Sequence, residues 1–248
     1  MEEPLIFRPY EVFEKNFSMR IDMRKNDDII CDNRITYYNV FLVIGIKILG
    51  GIIMVVAVKN VNGVQTIPVD ALLGQRRIVY VCGDITEEMA IDFVQQIMYL
   101  NYEDEVTPIK VFINSGGGEI NSGMVMYDVI QKSKAPIQLY CIGKAYSMAA
   151  VLLACGKKGS RYLLPHSKVM IHEPLIPYGV GGKSSSVQTI SESLLKTKRE
   201  MEELLAKHTG KTAEEIAENT KTDHFFEAGE AVSFGMADEI KEFDEMME

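Results

Sequence analysis

The run PIKVFINSGGGEINSGMVMYDVIQKSKAPIQLYCIGKAYSMAAVLLAC, residues 108–155, decides the fold. It opens with a β-rich apolar segment, Pro108–Asn114, which is followed by three successive glycines, Gly116–Gly118. Glu119–Lys132 then reads as a helix. The pattern repeats at once, with Pro136–Ile142 as a second strand and Ser147–Cys155 as a second helix. Strands alternating with helices predict an α/β domain with parallel pairing, because parallel neighbours need a crossover long enough to hold a helix.

The rhythm extends both ways. Upstream, Arg76–Gly83 is a short β-rich run. Asp84 and Thr86 then precede the acidic first turn Glu87-Glu88, which suits a helix N-terminus. The spacing places Ile91, Val94, Ile97 and Met98 on one face of that helix. Downstream, Ser160–Leu164 and Lys168–His172 are strand-like, and Tyr178–Ser186 is rich in Gly and Ser. A long helix runs from about Val187 to Lys207, with a stripe of Val187, Ile190, Leu194, Met201, Leu204 and Leu205. His208-Thr209-Gly210 stops it, with glycine as the C-terminal cap. So narrow a stripe needs another surface, from its own domain or from a second subunit.

The chain has 248 residues, 47% apolar and 25% charged, with a net charge of −9. This excludes a disordered or fibrous chain and disfavours a polyanionic partner, so nucleic acid is not expected. Cys31, Cys82, Cys141 and Cys155 form no C-x-x-C pair, and three sit in apolar runs, which reads as free buried thiols in a reducing compartment. His166, His172, His208 and His224 show no metal-ligand spacing, so no metal is expected.

The N-terminal part reads differently. Residues 1–37 show no sustained period, and Val40–Val58 is an apolar run of membrane-spanning length. Lys47 at its middle would cost roughly 2.5–3.5 kcal/mol in a bilayer, and Gly45, Gly50 and Gly51 interrupt it. An anchor, a propeptide and translated upstream DNA are the alternatives. Gly50-Gly51 can encode a purine-rich ribosome-binding sequence two codons before Met54, so the expectation is a start at Met54, with residues 1–53 as an extension.

Several segments could carry chemistry. Asn114–Gly118 is either a plain strand-to-helix turn or a loop whose exposed N–H groups bind an anion. Gly181-Gly182-Lys183-Ser184 mimics a phosphate loop, but Pro177 stands where that motif needs glycine, and nucleotide binding there is rejected. Ser147, in GKAYSMAA, is either a helix N-cap or a nucleophile whose own turn supplies an oxyanion donor. His172 at a strand end and Asp223 in a loop are each unremarkable alone. Together with Ser147 they supply the base that a serine nucleophile needs and the acid that orients the base.

GKAYSMAAVLLACGKKGSRYLLPHSKVMIHEP resembles the segment that carries the serine and histidine of the Clp protease proteolytic subunit family. INSGGGEINSGMVMYDVIQ is similar to that family's Asn-Ser-Pro-Gly-Gly segment, and LLAKHTGKTAEEIAENTKTDHFFEAGEAVSFGMADEI to its C-terminal part. The resemblance covers residues 54–243. It implies a crotonase-like ββα spiral with a protruding handle helix, and a cytoplasmic serine endopeptidase. Its site would be Ser147 as nucleophile, His172 as general base and Asp223 as orienting acid, with the oxyanion held by the N–H groups of Gly118 and Met148. It further implies an axial hairpin at 54–70 with a turn at Asn62-Gly63, a handle at 179–207, and a groove strand over Gly179–Ser186 that includes Gly179, Gly181 and Gly182. The implied assembly is two stacked heptameric rings of identical subunits, to which an ATP-driven AAA+ unfoldase delivers unfolded polypeptides. No cofactor is implied, since the unfoldase uses the ATP, and no membrane partner is expected.

Three residues depart from the family pattern. Gly116 replaces proline, Tyr146 replaces a small residue, and Thr222 replaces the arginine that contributes to ring pairing. They keep open a catalytically weak structural subunit of a mixed ring. A crotonase-type acyl-CoA enzyme shares the implied fold but needs no Ser–His pair.

Overall fold

Residues 39–48, 51–60, 63–177 and 179–247 are described by a computed structural model. The apolar run Val40–Val58 forms two strands in place of one span. Strand β1 (Asn39–Ile48) pairs antiparallel with β2 (Gly51–Asn60), which pairs in turn with β3 (Gly63–Pro68). No helix among the described residues is long and apolar enough to cross a membrane. Within residues 54–70, the stretch expected to form an axial hairpin, β2 and β3 pair antiparallel, with Gly63 opposite Asn60. The turn expected at Asn62-Gly63 involves Asn62, which, like Cys31, lies outside the described residues.

After α1 (Val69–Gln75), the strand–helix rhythm gives β4 (Ile78–Ile85), α2 (Glu87–Glu103), β5 (Ile109–Gly118), α3 (Ile120–Lys132), β6 (Ile137–Tyr146), α4 (Met148–Ala154) and β7 (Arg161–Leu163). Strands β4, β5, β6 and β7 are parallel neighbours, and β10 (Glu239–Ile240) extends the sheet beyond β7. This is the α/β architecture that the sequence predicts.

Helix α2 starts as its sequence dictates. The Thr86 hydroxyl accepts from the Met89 N–H at 3.2 Å, and Glu87 and Glu88 complement the positive helix end. Its buried face differs from expectation: Ala90, Phe93, Ile97 and Leu100 are buried, whereas Ile91 and Met98 are exposed. Apolar residues cover more than one face of this helix, and the face carrying Phe93 and Leu100 is the one that meets the sheet.

The main core lies against one face of the sheet, and a smaller cluster covers part of the other. Val111, Ile113, Leu139 and Cys141 join the main core, in which every residue of α4 is buried. On the opposite face Tyr80, Phe112, Tyr140 and Tyr162 stack in register across four strands, with centroids 5.6, 5.1 and 4.9 Å apart. Cys141 and Cys155 are buried as expected, while Cys82 is exposed. The reason is the period of two: Cys82 shares the face of β4 that carries the exposed Tyr80, opposite the buried Val79 and Val81.

The C-terminal third adds β8 (Lys168–Ile171), α5 (Ser184–Thr209), α6 (Ala213–Thr220), β9 (His224–Glu227), α7 (Ala228–Phe234) and α8 (Phe243–Met247). Gly210, at φ 81°, caps α5 in the left-handed conformation. Only Met201, Leu205 and Thr209 of α5 are buried, so most of this 26-residue helix projects from the domain as a handle. Arg161 joins the distant parts. Fully buried, it donates to Asp238 through Nε (2.9 Å) and Nη2 (2.6 Å), and through Nη1 to the carbonyls of Ala154, His208 and Gly235.

Candidate active site

Strand register brings the three candidate residues together. The first half of β6 pairs with β7, and its last residues, Lys144–Tyr146, pair instead with β8. Tyr146 stands beside Met170, and the next N–H, of Ser147, donates to the Met170 carbonyl at 2.8 Å. Strand β8 runs antiparallel to β9, with Ile171 opposite His224. One further step in that register places His172 opposite Asp223. Residues 25 and 76 positions from Ser147 are thereby delivered to the end of one strand.

His172 Nε2 lies 2.8 Å from Ser147 Oγ, within hydrogen-bond reach. Asp223 Oδ1 lies 3.6 Å from His172 Nδ1, close enough for an ion pair but too long for a hydrogen bond. The His172 side chain is 17% exposed and that of Asp223 61%, so the outer end of the row faces solvent in the single chain.

The backbone at Ser147 has φ 53° and ψ −124°, a conformation that non-glycine residues avoid and that costs about 1–3 kcal/mol where it persists. Ser147 occupies the N-cap position of α4, yet its side chain makes no capping bond. The N-cap alternative is therefore not what the hydroxyl does; it points to His172. Gly117, at φ 94°, packs against this turn so closely that a Cβ there would lie 2.7 Å from the Tyr146 carbonyl and 2.8 Å from Ser147 Cβ. Gly118, at φ 153°, is equally constrained, since a Cβ would fall 2.2 Å from the Ile85 carbonyl oxygen. Asn114–Gly118 is consequently no simple turn. It continues β5, paired to β4 as far as Ile85–Gly118.

Ser147 and His172 open into a cleft of about 840 Å³. Gly116, Gly118 and Glu119 form one side, Pro174–Pro177 the other, and Ile190, Leu194, Met201 and Leu205 of α5 contribute apolar surface. Gly118 and Met148 both line it beside the serine. Gly179, Gly181 and Gly182 do not, and Gly179–Lys183 forms no strand; α5 already begins at Ser184, within the segment expected to be a groove strand. A strand needs a partner edge, and none of the described strands lies beside this stretch.

Tyr146 turns its ring edge-on to Phe225, with centroids 5.5 Å apart. Lys198 of α5 forms an ion pair with Glu173, the residue after His172, and stands 3.9 Å from Glu202. The Glu173 carboxylate raises the Lys198 pKa above its ordinary value. The pair fastens the histidine-bearing segment to the handle. Sequence reasoning missed it, although a lysine on a helix next to a strand-end glutamate was the available signal. It also missed Pro174–Pro177 as a cleft wall.

The family model described as Clp protease matches residues 62–244 of the chain.

Proposed function

The chain belongs to the Clp protease family, and from that premise we propose that it is a serine endopeptidase working through an acyl-enzyme. His172 Nε2 takes the Ser147 proton as Oγ bonds to the scissile carbonyl carbon. The negative oxygen that forms is held by the N–H groups of Gly118 and Met148; one such donor is worth about 100–1000-fold in rate. His172 then protonates the leaving nitrogen, the C–N bond breaks, and one peptide departs. Water, deprotonated by His172, attacks the ester; the second peptide leaves as a carboxylic acid and Ser147 recovers its proton. Asp223 fixes the histidine tautomer and stabilises the imidazolium. No step calls for a metal or organic cofactor.

One observation carries the reading: the 2.8 Å contact of an uncapped, conformationally strained serine with a histidine. The projecting α5 and the exposed Asp223 support an assembly of two stacked heptameric rings, in which a neighbouring subunit covers this end of the site and draws Asp223 onto His172. On substrate binding, Gly179–Lys183 forms the groove strand by pairing with the incoming chain. Unfolded polypeptides reach the chamber through a Clp unfoldase, which uses the ATP.

The test is hydrolysis of a short fluorogenic peptide by the size-fractionated particle, with Ser147→Ala as control. Turnover that co-elutes with the particle and is abolished by the substitution is the expected result. An assembled but inactive particle would mark a structural subunit of a mixed ring, and turnover surviving Ser147→Ala would point to other chemistry.

A further inference from the structure

One cation at the cleft rim has no ion-pair partner among the described residues. Lys144 is exposed, lies three residues before Ser147 in β6, and shares a strand face with Tyr146. Its Nζ is 5.8 Å from the Tyr146 ring centroid and 3.8 Å from the point where a Cβ on residue 116 would sit. Gly116 lines the active-site cleft, so the ammonium stands at its edge, and the absent side chain leaves the space before it open.

The neighbouring charged groups have other partners. Lys168, beside Lys144 in the β6–β8 register, is paired with Glu227 at 2.8 Å. Glu119, on the cleft wall, accepts from the Ser122 hydroxyl at 2.5 Å. Asp223 faces His172. Among the described residues no carboxylate forms an ion pair with Lys144, which leaves one uncommitted positive charge beside Gly116 at the cleft edge.

We infer that Lys144 is a specificity-determining residue that recognises a carboxylate on the bound peptide, within two residues of the scissile bond. This rests on the peptidase reading above. The carboxylate comes from an acidic side chain or from a free C-terminus, which share one chemistry. An exposed ion pair of this kind contributes modestly and is screened by salt.

The test uses the assembled protein and amidated fluorogenic peptides that differ only in Asp, Asn or Lys at each of the two positions on either side of the cleaved bond. A matching Asn peptide with a free C-terminal carboxylate is added. At low salt at least one Asp position, or the free-acid peptide, has kcat/KM about two- to fivefold above its neutral counterpart. That ratio falls towards one in Lys144→Gln and at about 0.5 M salt, and Lys144→Glu favours the Lys peptide. An effect confined to the free-acid peptide identifies the chain terminus as the ligand; an effect of Asp identifies a side chain. A preference that survives Lys144→Gln, or no preference at any position while neutral peptides turn over, overturns the assignment of Lys144 alone. If neutral peptides are not hydrolysed at all, the peptidase reading fails, and this proposal with it.

Discussion

Gly117→Ala isolates the geometry at the nucleophile. The residue sits at φ 94°, where an alanine costs about 1–3 kcal/mol in conformational strain. Its Cβ would lie 2.7 Å from the Tyr146 carbonyl oxygen, 2.8 Å from Ser147 Cβ and 3.0 Å from the Met148 nitrogen. These are backbone and near-backbone atoms, which cannot swing away as a side-chain tip would. Restoring ordinary contact at 3.4 Å moves the Ser147 turn by roughly 0.6 Å relative to β5. A displacement near 1 Å costs about 100-fold in a positioned reaction. It also separates Ser147 Oγ from His172 Nε2, which now stand at 2.8 Å. We therefore expect kcat/KM for a short peptide to fall by about 10- to 30-fold in particles that still assemble. Gly116→Ala is the internal comparison, because a Cβ there meets only Lys144 Nζ at 3.8 Å. Its loss should be at least about tenfold smaller. Equal losses at the two positions, or near-normal turnover in Gly117→Ala, would refute the reasoning.

Other expectations concern the scaffold. Arg161→Met leaves Asp238 and three carbonyls without their buried cation, so it should cost about 3–5 kcal/mol and lower the Tm by about 6–20 °C at fixed protein concentration; a shift under about 3 °C would show that the network is not needed. Burial, aided by Lys207 and Arg161, depresses the His208 pKa to about 4, below its ordinary 6.5. The unfolded chain therefore takes up this proton first, and the resulting stability is present above pH 6.5 and lost as pH falls towards 4. Denaturant titrations across that range should show a shallower pH slope in His208→Gln, and an unchanged slope would contradict the assignment. Burial raises the thiol pKa of all three described cysteines, Cys141 to about 11 and Cys155 to about 12, but only Cys82 is exposed, so peptide mapping after brief alkylation of the native protein should find Cys82 modified and the other two protected.

The α/β rhythm was legible because each strand–helix unit carries its own hydrophobic period, and because Thr86, Glu87 and Gly210 punctuate helix ends by local chemistry. Strand ends were less so. Glycine-rich Asn114–Gly118 reads as a turn, yet β4 pairs with it through Gly118, and tertiary pairing overrides the local preference. The face of α2 that packs was misread for a related reason: period alone cannot choose between two apolar faces when only one meets a sheet. The site divides in the same way. Ser147, His172 and Asp223 were visible as residue types and through resemblance, but their convergence depends on β6 exchanging β7 for β8, a register that no local pattern encodes. The lining from α5 was half visible. Its stripe could be read, while the cleft that Ile190, Leu194 and Met201 face could not.

Reaction of the native particle with a fluorophosphonate, followed by mass mapping of the adduct, tests the central claim most directly. The account predicts a single phosphonyl group on Ser147, absent in Ser147→Ala and strongly slowed in His172→Ala, since the hydroxyl that His172 Nε2 meets at 2.8 Å is the one made nucleophilic. An assembled particle left unlabelled at Ser147, or labelled equally fast without His172, would contradict it.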